Sequence, residues 1–284
     1  MGGHRTLISA GELARLLEAD SDTVLLDVRW ALGDDRGAEQ HAAGHLPGAV
    51  FVDLETELSG PPDPAEGRHP LPAPQDFAAA ARRWGINAHS TVVLYDATGA
   101  LAASRGWWLL RHAGLTDVRV LDGGLDAWIA GGHRLESGDR IPEPGDANPG
   151  WGHMPVIDIE AAASFPDHGI LLDSRAAERY SGQSEPIDPR AGHIPGARNR
   201  PTTENLTADK RFLDPAELAR AYVQLGVGTG PGAPEVAAYC GSGVTAAHQV
   251  LALETIGVHA ALFPGSWSQW SADPTRPGAT GSTP

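Results

Sequence analysis

The chain repeats itself, and that repeat limits its fold more than any other feature. Leu25-Leu-Asp-Val-Arg29 returns as Leu171-Leu-Asp-Ser-Arg175, and Gly44-His-Leu-Pro-Gly-Ala49 as Gly192-His-Ile-Pro-Gly-Ala197. Val93-Leu-Tyr-Asp96 returns as Ala237-Ala-Tyr-Cys240, and Gly123-Gly-Leu-Asp-Ala-Trp128 as Gly265-Ser-Trp-Ser-Gln-Trp270. Asp27 and Asp173 are 146 positions apart, and Trp128 and Trp270 are 142 apart, so small insertions and deletions account for the drift. Four landmarks in one order make a duplicated domain; a period this long is not that of a solenoid. The 284 residues therefore divide into two domains of ordinary size.

Within each copy, short apolar runs alternate with helical stretches. Val24-Leu-Leu-Asp-Val28, Thr91-Val-Val-Leu-Tyr95 and Val118-Arg-Val-Leu121 read as strands, as do Ile170-Leu-Leu-Asp173, Glu235-Val-Ala-Ala-Tyr239 and Ala260-Ala-Leu-Phe263. Helices are expected over 10–19, 76–84, 102–112, 213–225 and 243–256. The fold class is α/β: two tandem domains, each a parallel sheet with helices on both faces. The first domain spans 1–136 and the second 156–273. Between them 137–155, rich in Gly, Pro and Asn, reads as a linker, and 274–284 as a loose tail.

Composition narrows the function. Lys and Arg total 21 against 36 Asp and Glu, a net charge of −15. Nucleic-acid binding needs a basic footprint and is not expected; a small anionic substrate is compatible with a locally basic pocket. The single cysteine rules out an intrachain disulfide. Met1-Gly-Gly-His-Arg5 precedes no long apolar run, and nothing approaches a membrane span, so the expected location is cytoplasmic. The twelve histidines form no tight cluster at metal-ligand spacing, and neither metal nor cofactor is expected.

Cys240 follows a strand directly and opens Cys240-Gly-Ser-Gly-Val-Thr-Ala246, which runs into a helical stretch. Two glycines let the backbone curl so that N–H groups point inward. With the helix dipole, such a nest stabilises an anion, whether a thiolate or the outer sulfur of a persulfide. Ser242 and Thr245 add hydroxyls. A lone cysteine is most often inert and buried, yet the equivalent position in the first copy is Asp96, which points to a division of labour rather than a packing site.

The repeat and this loop resemble the rhodanese superfamily over nearly the whole chain, from about Leu7 to Asp273. The Gly-His-(Leu/Ile)-Pro-Gly-Ala and Gly-Ser-Trp-x-x-Trp segments are similar to its two signatures, with Gln269 where the family usually has Glu. The resemblance implies a sulfurtransferase with an inactive first domain and a catalytic second one. Cys240 would carry sulfur as a persulfide, and the partners would be a small sulfur donor and a thiol, cyanide or protein acceptor. The loop is similar to that of 3-mercaptopyruvate sulfurtransferases. Gly241, Ser242 and Gly243 lack the cations that thiosulfate, a compact dianion, would favour. Gly241, Gly243, Val244 and Thr245 would line the donor site.

By the same resemblance Arg179 binds the substrate. Asp188 stands where the family has a second arginine, with Arg190 as its substitute. Ser242 would work with a His and an Asp of the first domain, for which His45 and Asp35, or Asp34, are the candidates. His45 has a counterpart in His193, so its motif also has a role in folding. Asp27 and Asp173 read as structural partners of the nearby arginines, and Trp30 and Trp267 as possible pocket residues. Alternatives are a thiosulfate:cyanide sulfurtransferase and a non-catalytic module that binds proteins. A cysteine phosphatase needs an arginine six residues after the nucleophile, where this chain has Ala246.

Overall fold

A computed structural model describes residues 6–19 and 22–284. The chain divides into two compact units. Among the described residues the first holds five strands: β1 (Leu7–Ile8), β2 (Thr23–Asp27), β3 (Val50–Phe51), β4 (Thr91–Tyr95) and β5 (Val118–Leu121). They form one parallel sheet in the order β1-β5-β4-β2-β3. The second unit holds β6 (Gly169–Asp173), β7 (Arg198–Asn199), β8 (Glu235–Tyr239) and β9 (Ala261–Leu262), also parallel, in the order β7-β6-β8-β9. Val156 bridges Leu262 in parallel, where β1 lies beside β5 in the first sheet.

Helices surround both sheets. Those expected from periodicity fall at Ala10–Glu18, Pro74–Arg83, Ala103–His112, Pro215–Val223 and Val244–Thr255. The first is closed by a capping box between Ser9 and Glu12. The two-residue strands and short helices such as Gly37–Ala43 and Ala177–Tyr180 are too brief for a periodic signal. Among the described residues, no helix is long and apolar enough to cross a membrane.

The duplication extends into the cores. Leu25, Leu46, Ala49, Val93, Tyr95, Leu121 and Trp128 pack in the first, and Leu171, Ile194, Ala197, Ala237, Tyr239, Phe263 and Trp270 take the matching places in the second. The Gly-His-x-Pro-Gly motif does the same work twice. His45 Nδ1 lies 2.9 Å from the His41 carbonyl and His193 Nδ1 2.8 Å from that of Tyr180. The next N–H donates to a strand-end tyrosine hydroxyl, Leu46 to Tyr95 at 3.0 Å and Ile194 to Tyr239 at 3.1 Å. Arg29–Asp27 and Arg175–Asp173 are buried ion pairs, as read from the sequence.

Four segments depart from the expected boundaries. The 137–155 segment lies along the first unit instead of hanging free: Ala147 N–H donates to the Ile86 carbonyl at 3.0 Å, and Trp151 meets Phe77 and His112 edge-on. The tail is not loose, because its backbone has partners. His193 and Ala279 exchange two hydrogen bonds of 2.9 Å, and Trp270 Nε1 donates to the Pro277 carbonyl at 2.7 Å. Residues 61–71, encoded in the first repeat, pack within the second unit, and Ala208–Phe212, encoded in the second, pack within the first.

Candidate active site

β8 delivers Cys240 to the carboxyl end of the second sheet, and the helix Val244–Thr255 begins four residues later. Gly243 makes the turn between them. Its φ of +82° is left-handed, and a Cβ there would stand 2.3 Å from the Pro264 carbonyl oxygen, so no other residue fits. The turn brings the Gly243 N–H to within 3.1 Å of Cys240 Sγ. Ser266 is also left-handed, at φ 53°, a strain of about 1–3 kcal/mol for a non-glycine. Its hydroxyl accepts the Cys240 N–H at 3.1 Å and donates to the Phe263 carbonyl at 2.9 Å. The first copy has Gly124 at this place, at φ 53°.

Asp96 shows what the unoccupied version of this loop is built to hold. One of its carboxylate oxygens accepts N–H bonds from Thr98 and Ala100, at 2.9 and 2.8 Å, and the other from Ala102 and Ala103, at 2.9 and 3.0 Å. Burial raises the Asp96 carboxyl above the usual range, and the four N–H groups work against that. The first copy thus fills its own anion nest with a side chain, whereas the second presents a sulfur atom.

Segment 61–71 crosses the second site. Gln269 Nε2 donates to the Ala65 carbonyl at 2.5 Å, a bond that glutamate at this position would not donate. The Arg68 N–H donates to Ser268 Oγ at 3.1 Å. This places buried His69 beside the loop, its Nδ1 2.7 Å from Ser242 Oγ. The histidine that meets Ser242 is therefore His69, not His45. His45 belongs to the first unit, where its Nδ1 engages His41 and its ring stacks on the His41 ring at 4.0 Å. Asp35 is exposed in that unit and lines a cavity with Trp30, Phe51 and Glu55. Neighbouring Asp34 is committed to Arg36, whose hydrogen bonds lower its carboxyl to about 2. His69 has no counterpart in the repeated landmarks, which is why self-comparison passes over it. The available signal was a charged Gly-Arg-His inside a Pro-rich stretch.

Arg179 faces the loop. Its Nη2 donates to Glu185 at 2.6 Å and to Asp188 at 3.0 Å, and its Nε donates to Glu185 at 3.2 Å. Against the penalty of burial, Arg179 and the N–H groups of Ile187 and Asp188 hold Glu185 below the usual carboxylate range. Asp188 is pushed above it by burial and by Glu185, although Arg68 and Arg179 pull the other way. Arg190, expected as the substitute for a second binding arginine, is committed elsewhere. Its guanidinium is spent on four backbone carbonyls, of Ser271, Arg276, Trp270 and Asp273, at 2.7–2.9 Å. The cation that joins Arg179 is Arg68, which pairs with Asp188. A Cβ on Gly241 would lie 3.2 Å from Arg68 Nη2 and 3.3 Å from Arg179 Nη1.

The remaining residues support the loop. Val244 is buried and Thr245 half-buried in the first helical turn. Trp267 lies beneath the loop, its N–H on the Cys240 carbonyl at 3.0 Å and its ring against Arg175, whose Cζ is 4.8 Å from the centroid. The assembly is a buried thiol at a helix N-terminus, a hydroxyl-imidazole pair and two guanidiniums. It is equipped for covalent chemistry at sulfur on a small anionic substrate. Among the described residues, no group of three or more His, Cys, Asp or Glu is placed to hold a metal ion.

Comparison with known proteins identifies the family. Residues 9–131 and 159–273 each match the family model of the rhodanese-like domain. The "Probable 3-mercaptopyruvate sulfurtransferase" of Pseudomonas aeruginosa is 44% identical over 281 residues, covering 97% of this chain and 98% of that protein. The "Putative thiosulfate sulfurtransferase SseB" of Mycobacterium tuberculosis is 43% identical over 276 residues, 96% of each. The crystal structure of SseA from Escherichia coli, a 3-mercaptopyruvate sulfurtransferase, superposes with a TM-score of 0.81 at 33% identity, over 93% of this chain and 99% of that one.

Proposed function

We propose, from the premise that this chain belongs to the rhodanese-like family, that it moves sulfur from 3-mercaptopyruvate through a Cys240 persulfide to a thiol or cyanide. The chain is a sulfurtransferase with two tandem rhodanese-like domains. The observation that carries the proposal is Cys240 Sγ at the mouth of a helix N-terminus, accepting the Gly243 N–H at 3.1 Å, with arginines above and a hydroxyl-imidazole pair beside it.

In the first half-reaction the Cys240 thiolate attacks the donor sulfur. An S–S bond forms, the donor C–S bond breaks, and its electron pair passes into the enolate of pyruvate, which takes a proton at carbon. Cys240 is left as a persulfide. Ser242, hydrogen bonded to His69, supplies a donor to the developing enolate oxygen. Arg179 binds the donor carboxylate with its planar fork. In the second half-reaction an acceptor thiolate attacks the outer sulfur, and the Cys240 thiolate leaves. The loop N–H groups stabilise negative charge on sulfur in both.

A second reading, thiosulfate as the donor, has one observation in its favour: the two guanidinium edges over Gly241, which the neutral loop sequence does not announce. Intact-mass spectrometry after treatment with each donor, together with steady-state kinetics, tests both. Wild type should gain about one sulfur atom per chain and Cys240→Ser none. Retention of the adduct by folded Cys240→Ser would overturn the mechanism. A higher kcat/KM with thiosulfate than with 3-mercaptopyruvate would overturn the donor assignment.

A further inference from the structure

Position 188 holds the wrong charge for a site that binds anions. Where the family resemblance leads one to expect a second arginine, Asp188 is buried between two, accepting from Arg68 and, at 3.0 Å, from Arg179. Its side chain is 2% exposed, against 29% for Arg68 and 19% for Arg179. The carboxylate is thus the buried base of the cluster, and the guanidiniums are its open face.

Glu185 completes the arrangement. It accepts from Arg179 at 2.6 Å and from the Asp188 N–H at 3.0 Å, and so fixes the turn that carries Asp188. Arg175 approaches Glu185 at 3.3 Å but belongs to Asp173. The cluster over the Cys240 loop therefore contains two guanidiniums, Arg68 and Arg179, and two carboxylates, Asp188 and Glu185. Its formal charge is zero. It still has hydrogen-bonding capacity: Arg68 Nε is buried without a partner, and Arg68 Nη2 and Arg179 Nη1 are the atoms nearest Gly241.

We propose that Asp188 is a donor-specificity residue. It balances Arg68 and Arg179 above the Cys240 loop, so that the site accepts one donor carboxylate by hydrogen bonding and rejects dianions. Arg68 is the second arm that contacts the donor. A monocarboxylate entering the neutral cluster leaves one uncompensated charge, and a dianion such as thiosulfate leaves two. In a half-buried site the second charge meets the Asp188 carboxylate with little water to screen it. Specificity then arises from repulsion of the wrong donor as well as attraction of the right one. The proposal rests on the sulfurtransferase reading above and deepens it.

The test compares kcat/KM for 3-mercaptopyruvate and for thiosulfate in wild type, Asp188→Asn and Arg68→Ala, with circular dichroism to verify folding. Asp188→Asn keeps the shape and one acceptor oxygen but leaves the cluster with a net positive charge. Thiosulfate use should rise about tenfold or more relative to 3-mercaptopyruvate, since like-charge contacts weigh heavily against a wrong partner. Arg68→Ala makes the cluster negative and should move the ratio the opposite way, while raising KM for 3-mercaptopyruvate. The opposed signs keep the idea testable even if one variant fails to fold. An unchanged donor ratio in folded Asp188→Asn, or a shift opposite to the one expected in either folded variant, overturns the role of Asp188 while the persulfide stands. Absence of a sulfur adduct on wild-type Cys240 with either donor overturns the sulfurtransferase reading itself, and this proposal with it.

Discussion

Replacing Asp96 by asparagine tests whether the loop after the central strand is an anion nest. Each Asp96 oxygen accepts two backbone N–H groups, at 2.8–3.0 Å. Asparagine keeps one oxygen and turns the other into an NH2 group, so two buried N–H donors lose their acceptor and face another donor. An unmet buried donor costs about 1–3 kcal/mol, which gives about 2–6 kcal/mol for the pair. Burial of the charge, which raises the Asp96 carboxyl, is relieved in asparagine; this returns part of the cost and leaves a net loss of about 1–4 kcal/mol. For a domain of this size each kcal/mol moves the melting temperature by about 2–4 °C. Urea and thermal denaturation followed by circular dichroism would measure the loss. Asp96→Ala adds a second readout: it empties the nest, and formate should stabilise that variant more than it does wild type. A loss below about 0.5 kcal/mol in Asp96→Asn, the level of an ordinary surface change, together with no specific effect of formate, would refute the nest and with it the account of how the Cys240 loop holds charge.

Ser242→Ala should lower the rate of the donor half-reaction by roughly 10²-fold or more, the scale of a lost acid-base group, while iodoacetamide still alkylates Cys240; rapid-quench measurement of the persulfide would detect it. The two histidines should separate cleanly. His69→Ala should impair turnover, whereas His45→Ala should lower the melting temperature with kcat/KM retained, and the reverse pattern would return the catalytic assignment to His45. Arg190→Ala frees four carbonyls from one guanidinium and should cost about 2–4 kcal/mol of stability, with KM for 3-mercaptopyruvate unchanged; a raised KM in the folded variant would show that Arg190 binds the donor.

The duplication made the architecture readable, because matched landmarks fall on matched strands and turns. Cys240, its glycines and Arg179 stand out in the sequence for a related reason: local chemistry and a nearby motif single them out as candidates. Other features depend on contacts distant in sequence. His69 reaches Ser242 across 173 positions, and no local pattern announces such a contact. The four carbonyls around Arg190 were not legible, because a charge in a sequence does not reveal whether carbonyls already claim it. The tail looked loose from its lack of apolar residues, yet backbone hydrogen bonds to His193 hold it, and backbone bonding leaves no mark in composition.

Residues 61–71 are encoded with one repeat and fold with the other, so the genetic boundary and the chemical boundary do not coincide. A fragment beginning at Pro155 would inherit the nucleophile, Ser242 and Arg179 but leave Arg68 and His69 behind. Recombination that exchanged second repeats between relatives would likewise part Asp188 from the arginine that balances it, unless the short strap travelled too. The first repeat, although it lacks a cysteine, thus carries in its sequence a segment that packs in the second unit.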